Sequence, residues 1–396
     1  MKTAYIYACT VLITLGISGC GARAPSQTSL PTQDANTAII NPAKDAETRS
    51  ITEPQHILQV FVPVDEESAR FELPIEGASA YAAMNLALFT AADITSDAIT
   101  ILAAGQGFTI LKESGGWWFI ELGTIRGWIE NRYCMINLPD IIPSIVYYNT
   151  NTFSSLFKSS YKDIPNVTGT TLYQSRDFNA RLNRDEYIAA VLYGMAGKIA
   201  AAQQAALAEG NTLVIYEAFR PAEAHNIVHE NLLHLYNTDP VVRTGISTAP
   251  WNIRWFLAES PYNHQRGTAI DVSLARIDGE ELLSAGDFTY RYISECTEFT
   301  MQTPMHEMSI ASVVFTTPAH ARSETAWKDA EFSPHATAGT ILLHQYATSG
   351  GLIPLASEWW HFNDLEYTAL AVEADFTGEF HIDRTYSKIP VRGSIR

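Results

Sequence analysis

The segment His264-Gln265-Arg266-Gly267-Thr268-Ala269-Ile270-Asp271 constrains this chain more than any other. Gly267 permits a tight turn, and the β-prone run from Thr268 to Leu274 predicts a strand directly after it. Side chains alternate faces along a strand, so Ala269, Asp271 and Ser273 share one face and Ile270, Val272 and Leu274 the other. The apolar face enters a core while Asp271 looks into a cleft, and His264 reaches the same point across the turn. An imidazole nitrogen and a carboxylate oxygen are suitable zinc ligands. Alone, such a pair more often reads as two solvated or hydrogen-bonded groups beside a turn.

What that pair lacks is supplied by Glu358-Trp359-Trp360-His361-Phe362. His361 is a candidate third ligand, and Glu358 a candidate base beside it. A catalytic zinc takes three protein ligands and keeps one position open; the metal acidifies water, and a carboxylate takes the proton. The other reading of this segment is an aromatic core strand with charges at its edge. A third segment, Tyr216-Glu217-Ala218-Phe219-Arg220-Pro221, carries Arg220 where a strand gives way to a helix. A fixed guanidinium there can stabilise the oxyanion that forms when a peptide carbonyl is attacked. Without the other two segments Arg220 would read as a surface salt bridge.

The remaining chain frames these segments. A length of 396 residues suits two domains, and 46% hydrophobic against 17% charged residues is enough apolar side chain for a large core. The net charge of −17 argues against a nucleic-acid partner. Met1-Lys2 and the apolar run Ala4–Ile17, too short to span a bilayer that needs ~20 residues, have the layout of a secretory signal. Ile17-Ser18-Gly19-Cys20 resembles the lipobox of bacterial lipoproteins, which makes Cys20 a lipidation site and predicts a signal peptide over 1–20. Residues 21–77, polar in their first part, read as a flexible tether, with an unplaced apolar stretch at Ile57–Val64. Over 78–136, short β-prone runs such as Ala80–Phe89 and Trp117–Leu122, with the turn Gly115-Gly116, predict a small all-β barrel. Gly105-Gln106-Gly107-Phe108, Gly116-Trp117-Trp118 and Arg126-Gly127-Trp128-Ile129 resemble the bacterial SH3-like domain, which implies contact with the cell wall; its tryptophans read equally as barrel core. From 137 to 396 a mixture of helices and strands without regular alternation indicates an α+β domain. Its expected elements are a helix over Tyr187–Glu209, a strand over Leu213–Ala218, a helix from Pro221 to about Tyr236, and a strand or helix edge over Ile341–Ala347.

Taken in order, Arg220-Pro221, His264-x-x-Gly-x-Ala-x-Asp271 and Glu358-Trp-Trp-His361 resemble the D-alanyl-D-alanine dipeptidases, part of a wider group with D,D-carboxypeptidases and the Hedgehog domain. Leu138-Pro139-Asp140-Ile141-Ile142-Pro143 and Asn151-Thr152-Phe153 look like that family's N-terminal stretch. The resemblance implies a Hedgehog/D,D-peptidase-like fold and a single zinc ion (Zn2+) on His264, Asp271 and His361. It also implies Glu358 as general base, Arg220 as stabiliser of the transition state, and a D-Ala-D-Ala dipeptide or peptidoglycan stem peptide as substrate. Two departures matter. Tyr262 stands where the family has a serine that contacts the substrate carboxylate. His306, followed by Glu307, stands where its dipeptidases have an aspartate that binds the substrate amino group. A D,D-carboxypeptidase that trims stem peptides, or a non-catalytic zinc-containing wall-binding or signalling module, therefore remain alternatives. The expected location is the cell envelope, outside the cytoplasm, on a lipid anchor. His225 and His229 have helical metal-pair spacing but no third ligand nearby, and read as a polar helix face. Cys134 and Cys296 either pair or remain two buried thiols.

Overall fold

The run Leu213-Val214-Ile215 asks for burial on both faces, and the strand Asn211–Glu217 that contains it is buried throughout. In the computed structural model, which describes residues 70–257 and 262–391, this strand runs parallel to Val146–Tyr147 on one side. On its other side it pairs antiparallel with the long strand Ala269–Ala285. His361–Asn363 and then Ile353–Pro354 continue the sheet, which has six strands including Phe288–Glu298. The helices Tyr193–Ala208 and Ala338–Ser349 pack against each other beside this sheet. The signal segment with Cys20, the stretch Ile57–Val64 and the expected tether before residue 70 lie outside the described residues. Among the described residues no helix is long and apolar enough to cross a membrane.

Several elements differ from expectation, each for a local reason. The helix expected from Tyr187 begins at Tyr193, because Arg184–Tyr187 closes a hairpin with Arg176–Asn179 and Ala190–Leu192 adds an edge strand to Cys134–Asn137. Neighbouring strands thus override a run that is helical by propensity. The strand expected to end at Leu274 continues to Ala285 and turns at Gly286 into Phe288–Glu298. Beyond Ala275 it carries Arg276, Asp278, Glu280 and Glu281 and is mostly solvated, so no apolar run announces it. Ile341–Ala347 lies inside the helix Ala338–Ser349, whose first turn is capped by Thr337 accepting from the Thr340 N–H at 3.2 Å.

The N-terminal β-rich region forms most of an eight-stranded sheet whose edge strands are Ala190–Leu192 and Ala98–Leu102. Trp118 is fully buried, while Trp117 and Trp128 are half-buried beside Phe89 and Phe119, so the tryptophans divide between core and outer face. This region shares one apolar core with the six-stranded sheet. The C-terminal segment crosses it: Tyr81 Oη donates to Arg384 O at 2.8 Å, and Lys388 N to Gly77 O at 2.7 Å. Residues 70–77, expected within the tether, are packed, with Leu73 buried and Leu73 N donating to Ile141 O at 3.2 Å. Cys134 and Cys296 are separate thiols, the first buried and the second partly exposed.

Candidate metal centre and catalytic cleft

The sheet register brings the three sequence segments together. Glu217 pairs with Asp271, and Asp271 pairs with His361, so three strands contribute one row of side chains. A bulge between Ile215 and Glu217 makes Tyr216 the extra residue on its strand. His264 enters from the turn before the central strand. Gly267 closes that turn at φ +68°, its N–H donating to His264 O at 3.1 Å. A Cβ at Gly267 would lie 2.9 Å from Met135 Cε and 3.2 Å from Leu192 N. Gly267→Ala should therefore cost about 1–3 kcal/mol of stability, read by denaturant unfolding; an unchanged unfolding midpoint would show that the turn tolerates a side chain.

His264 Nε2, His361 Nδ1 and Asp271 Oδ1 form a triangle with sides of 3.1, 3.0 and 3.1 Å. The outer nitrogens fix the tautomers. His264 Nδ1 lies 2.7 Å from the carbonyl of Ala218, which can only accept, so Nδ1 carries the proton and Nε2 is a lone pair. His361 Nε2 donates to Asn363 Oδ1 at 2.9 Å, which leaves Nδ1 as a lone pair. Asn263 Nδ2 also donates to that oxygen, at 2.7 Å. With both rings neutral, two lone pairs and an anionic oxygen thus meet. Three such acceptors repel unless a cation joins them, and backing of each imidazole by an acceptor is the usual support of a metal-ligating histidine. Bonds of roughly 2.0–2.1 Å in a tetrahedron imply ligand edges of about 3.3 Å, close to this triangle. The residues present fit a zinc ion.

A second group, Glu217, Asp271 and His306, also holds its ligand atoms within 4.8 Å of one another, but its donors do not fit a metal. His306 Nε2 lies 3.1 Å from Asp271 Oδ2 and presents its proton to that carboxylate. Glu217 is already neutralised by Arg220, with Nη1 to Oε2 at 3.1 Å. Glu217 Oε1 accepts from Asn151 Nδ2 at 2.6 Å and from Tyr173 Oη at 2.7 Å. The guanidinium, expected to find its charge partner only during reaction, is therefore held in a buried ion pair and lies over the Phe157 ring at 5.3 Å. Phe157 in turn stacks on His306 at 4.1 Å and 8°.

Charge in this cleft is set by burial and close partners. Burial opposes the Asp271 carboxylate, but the imidazoles around it, His264 first and then His306 and His361, hold it well below the usual range. Burial pushes Glu358 up to about 7, with Asp271 adding to the rise and His361 and Arg220 opposing it. Burial would lower Arg220, yet Glu217 and Asp271 keep it raised. Glu358 Oε2 lies 3.8 Å from His361 Nδ1, beside the triangle and outside it.

The substrate-contact candidates lie less centrally. Tyr262 packs its ring on His225 at 3.5 Å between centroids. His225 is buried, not on a polar face, and burial lowers its pKa to about 2. Glu307 is buried and accepts from Tyr161 N at 3.0 Å. Glu217, Asn151, Tyr173 and Phe157 had no sequence-derived role. Glu217 and Asn151 lay inside segments that already stood out, though without a role for either, and nothing in the spacing of Tyr173 or Phe157 marked them.

Residues 157–389, more than half of the chain, match the family model described as D-ala-D-ala dipeptidase, and residues 85–134 match that of the bacterial SH3 domain. The chain belongs to this peptidase family, M15, and carries a bacterial SH3 domain ahead of the peptidase region. It is similar to the D-alanyl-D-alanine dipeptidase of Escherichia coli (strain K12), with 27% identity over 202 residues that cover 51% of this chain and 75% of the relative.

Proposed function

We propose that this chain is a zinc-dependent D,D-peptidase of the cell envelope that hydrolyses the bond between two D-alanines at the end of a wall peptide. The observation that carries the reading is the triangle of His264, Asp271 and His361, three candidate ligand atoms at 3.0–3.1 Å, with Glu358 and Arg220 at its side. Bound zinc supplies Lewis acidity, which makes water acidic and polarises a carbonyl. Glu358, buried and poised near neutrality, takes the proton of the attacking water and delivers it to the departing amine as the carbon–nitrogen bond breaks. Arg220, held by Glu217, offers its remaining donors to the carbonyl oxygen as that atom gains charge. The proposal extends to an SH3-like barrel that keeps the enzyme at the wall, and to a signal peptide whose Cys20 carries a lipid anchor.

A second reading, a D,D-carboxypeptidase acting on longer stem peptides, is favoured by His306. An ammonium is held best by a carboxylate, and at this position the chain has an imidazole whose Nε2 turns to Asp271. The test supplies zinc to the chain and measures D-alanine released from the free dipeptide and from a pentapeptide ending in D-Ala-D-Ala. Release from the dipeptide alone selects a dipeptidase, and from the pentapeptide alone a carboxypeptidase. Release from neither sinks the enzymatic reading.

Arg220→Lys retains a charge for Glu217 but loses the planar fork. Its kcat should fall by about 10²–10³-fold with KM little changed. A rise in KM at constant kcat would instead make Arg220 a ground-state binding residue.

A further inference from the structure

Phe219, between Ala218 and Arg220, enters an apolar cluster separate from the main core. Tyr81, Ala83 and Met135 reach that cluster from the N-terminal β-rich region, and Phe376 and Ile382 from the C-terminal segment. The two chain neighbours of Phe219 both serve the site. The Ala218 carbonyl accepts from His264 Nδ1 at 2.7 Å, and the Arg220 guanidinium pairs with Glu217 at 3.1 Å. Phe219 N donates to Ala190 O at 3.0 Å, on the strand that pairs with Cys134–Asn137. Its ring is held by Phe380, stacked at 4.8 Å between centroids and 8° between planes. Phe380 is half-buried and rests against the bacterial SH3 domain at Gly105. A Cβ on Gly105 would lie 2.7 Å from its Cδ2 and 2.8 Å from its Cγ. Two residues earlier, Gly378 O accepts from Ala222 N at 3.0 Å, so the C-terminal segment grips the Arg220 turn from both sides of Phe380's contact.

We infer that Phe380 is a positioning residue for Arg220 and His264, acting through Phe219, and that the SH3 domain bears on the catalytic centre through Gly105 and this stack. Consecutive residues are tied at about 3.8 Å between Cα atoms. Phe219 therefore cannot shift without moving the carbonyl that orients His264 and the guanidinium that faces the substrate. A misplacement of about 1 Å at such groups costs roughly 10²-fold in rate, and loss of an orienting partner weakens a metal by roughly 10–100-fold. Neither Phe219 nor Phe380 carries a charge or a side-chain donor, so the effect is one of geometry alone. Its consequence for turnover rests on the proposed reaction; its consequence for metal affinity does not.

The test uses the full chain well below its unfolding midpoint, and reads kcat, KM and the zinc Kd by competition with a chelator. Phe380→Ala should lower kcat by about 10–100-fold with KM little changed, and weaken zinc by about tenfold. Phe380→Tyr keeps the stacked ring and should restore most of both. Gly105→Ala pushes on the same ring from the SH3 domain and should move kcat and zinc Kd in the same direction. In the Phe380→Ala background it should add nothing, because the stack is already gone. Gly123→Ala is the control. Gly123 has φ +60° beside the +79° of Gly105, but a Cβ there meets nothing within 4 Å. It shares the backbone strain without the contact and should keep native kcat and zinc Kd. Native values in a folded Phe380→Ala, equal losses in Gly105→Ala and Gly123→Ala, or additive losses in the double variant overturn the inference. If the native chain releases no D-alanine, the peptidase reading falls and the zinc affinities alone decide. Release by the native chain with zinc affinity and kcat unmoved in the variants does the reverse.

Discussion

Glu358→Gln should slow D-alanine release by about 10²–10⁴-fold and leave zinc bound. The amide has nearly the shape of the carboxylate but cannot take a proton from water. Glu358 Oε2 stands 3.8 Å from His361 Nδ1, further than any side of the ligand triangle, so its loss removes no ligand atom. Rates and zinc content measured on one preparation separate the outcomes. Zinc lost together with activity would make Glu358 a ligand and leave the reaction without a base. The same residue predicts the acid limb of the rate profile. A base must be ionised to act, and burial pushes Glu358 up to about 7. Activity should therefore fall as pH drops through its pKa. A cation on the triangle favours the carboxylate, which places that limb below 7 in the zinc-loaded enzyme.

The residues that make the triangle were legible because each sits in a short segment whose pattern has a local cause. Gly267 needs its left-handed turn, and strand alternation after it turns Asp271 towards His264. His361 and Glu358 announce themselves as polar residues within an aromatic run. What supports the triangle was not legible. Ala218 acts through its backbone oxygen, which carries no sequence signal, and Asn363 acts because two strands pair in a register that places it beside His361. The role of Glu217 depends on a one-residue bulge, and a bulge has no reliable composition. The fold divides in the same way. Buried apolar runs marked Asn211–Glu217 and the start of the central strand, whereas Ala190–Leu192 was absorbed into an expected helix because its partner Cys134–Asn137 is distant in sequence. The solvated hairpin beyond Ala275 depends on pairing, which hydrophobic periodicity does not record.

His361→Ala and His306→Ala should part sharply, although both rings lie at nearly the same distance from the Asp271 carboxylate, 3.0 and 3.1 Å. The nitrogen that His361 turns to Asp271 is a lone pair, because its other nitrogen donates to Asn363. The nitrogen that His306 turns to Asp271 is a donor. Removing His361 takes away a ligand, so zinc affinity and turnover should both be lost. Removing His306 takes away an orienting hydrogen bond from a ligand that stays, which should weaken zinc by about 10–100-fold. Thermal unfolding reads the difference directly, since a metal that binds only the folded chain stabilises it by about 4 kcal/mol when free zinc is a thousandfold above its Kd. The native chain and Glu358→Gln should show this zinc-dependent rise in Tm. His306→Ala should show it at higher zinc, and His361→Ala should not show it at all. Equal losses in the two histidine variants would mean that His306 coordinates the metal too. The Glu217–Asp271–His306 group would then be part of the centre, and Arg220 would have to release Glu217 for the metal to bind.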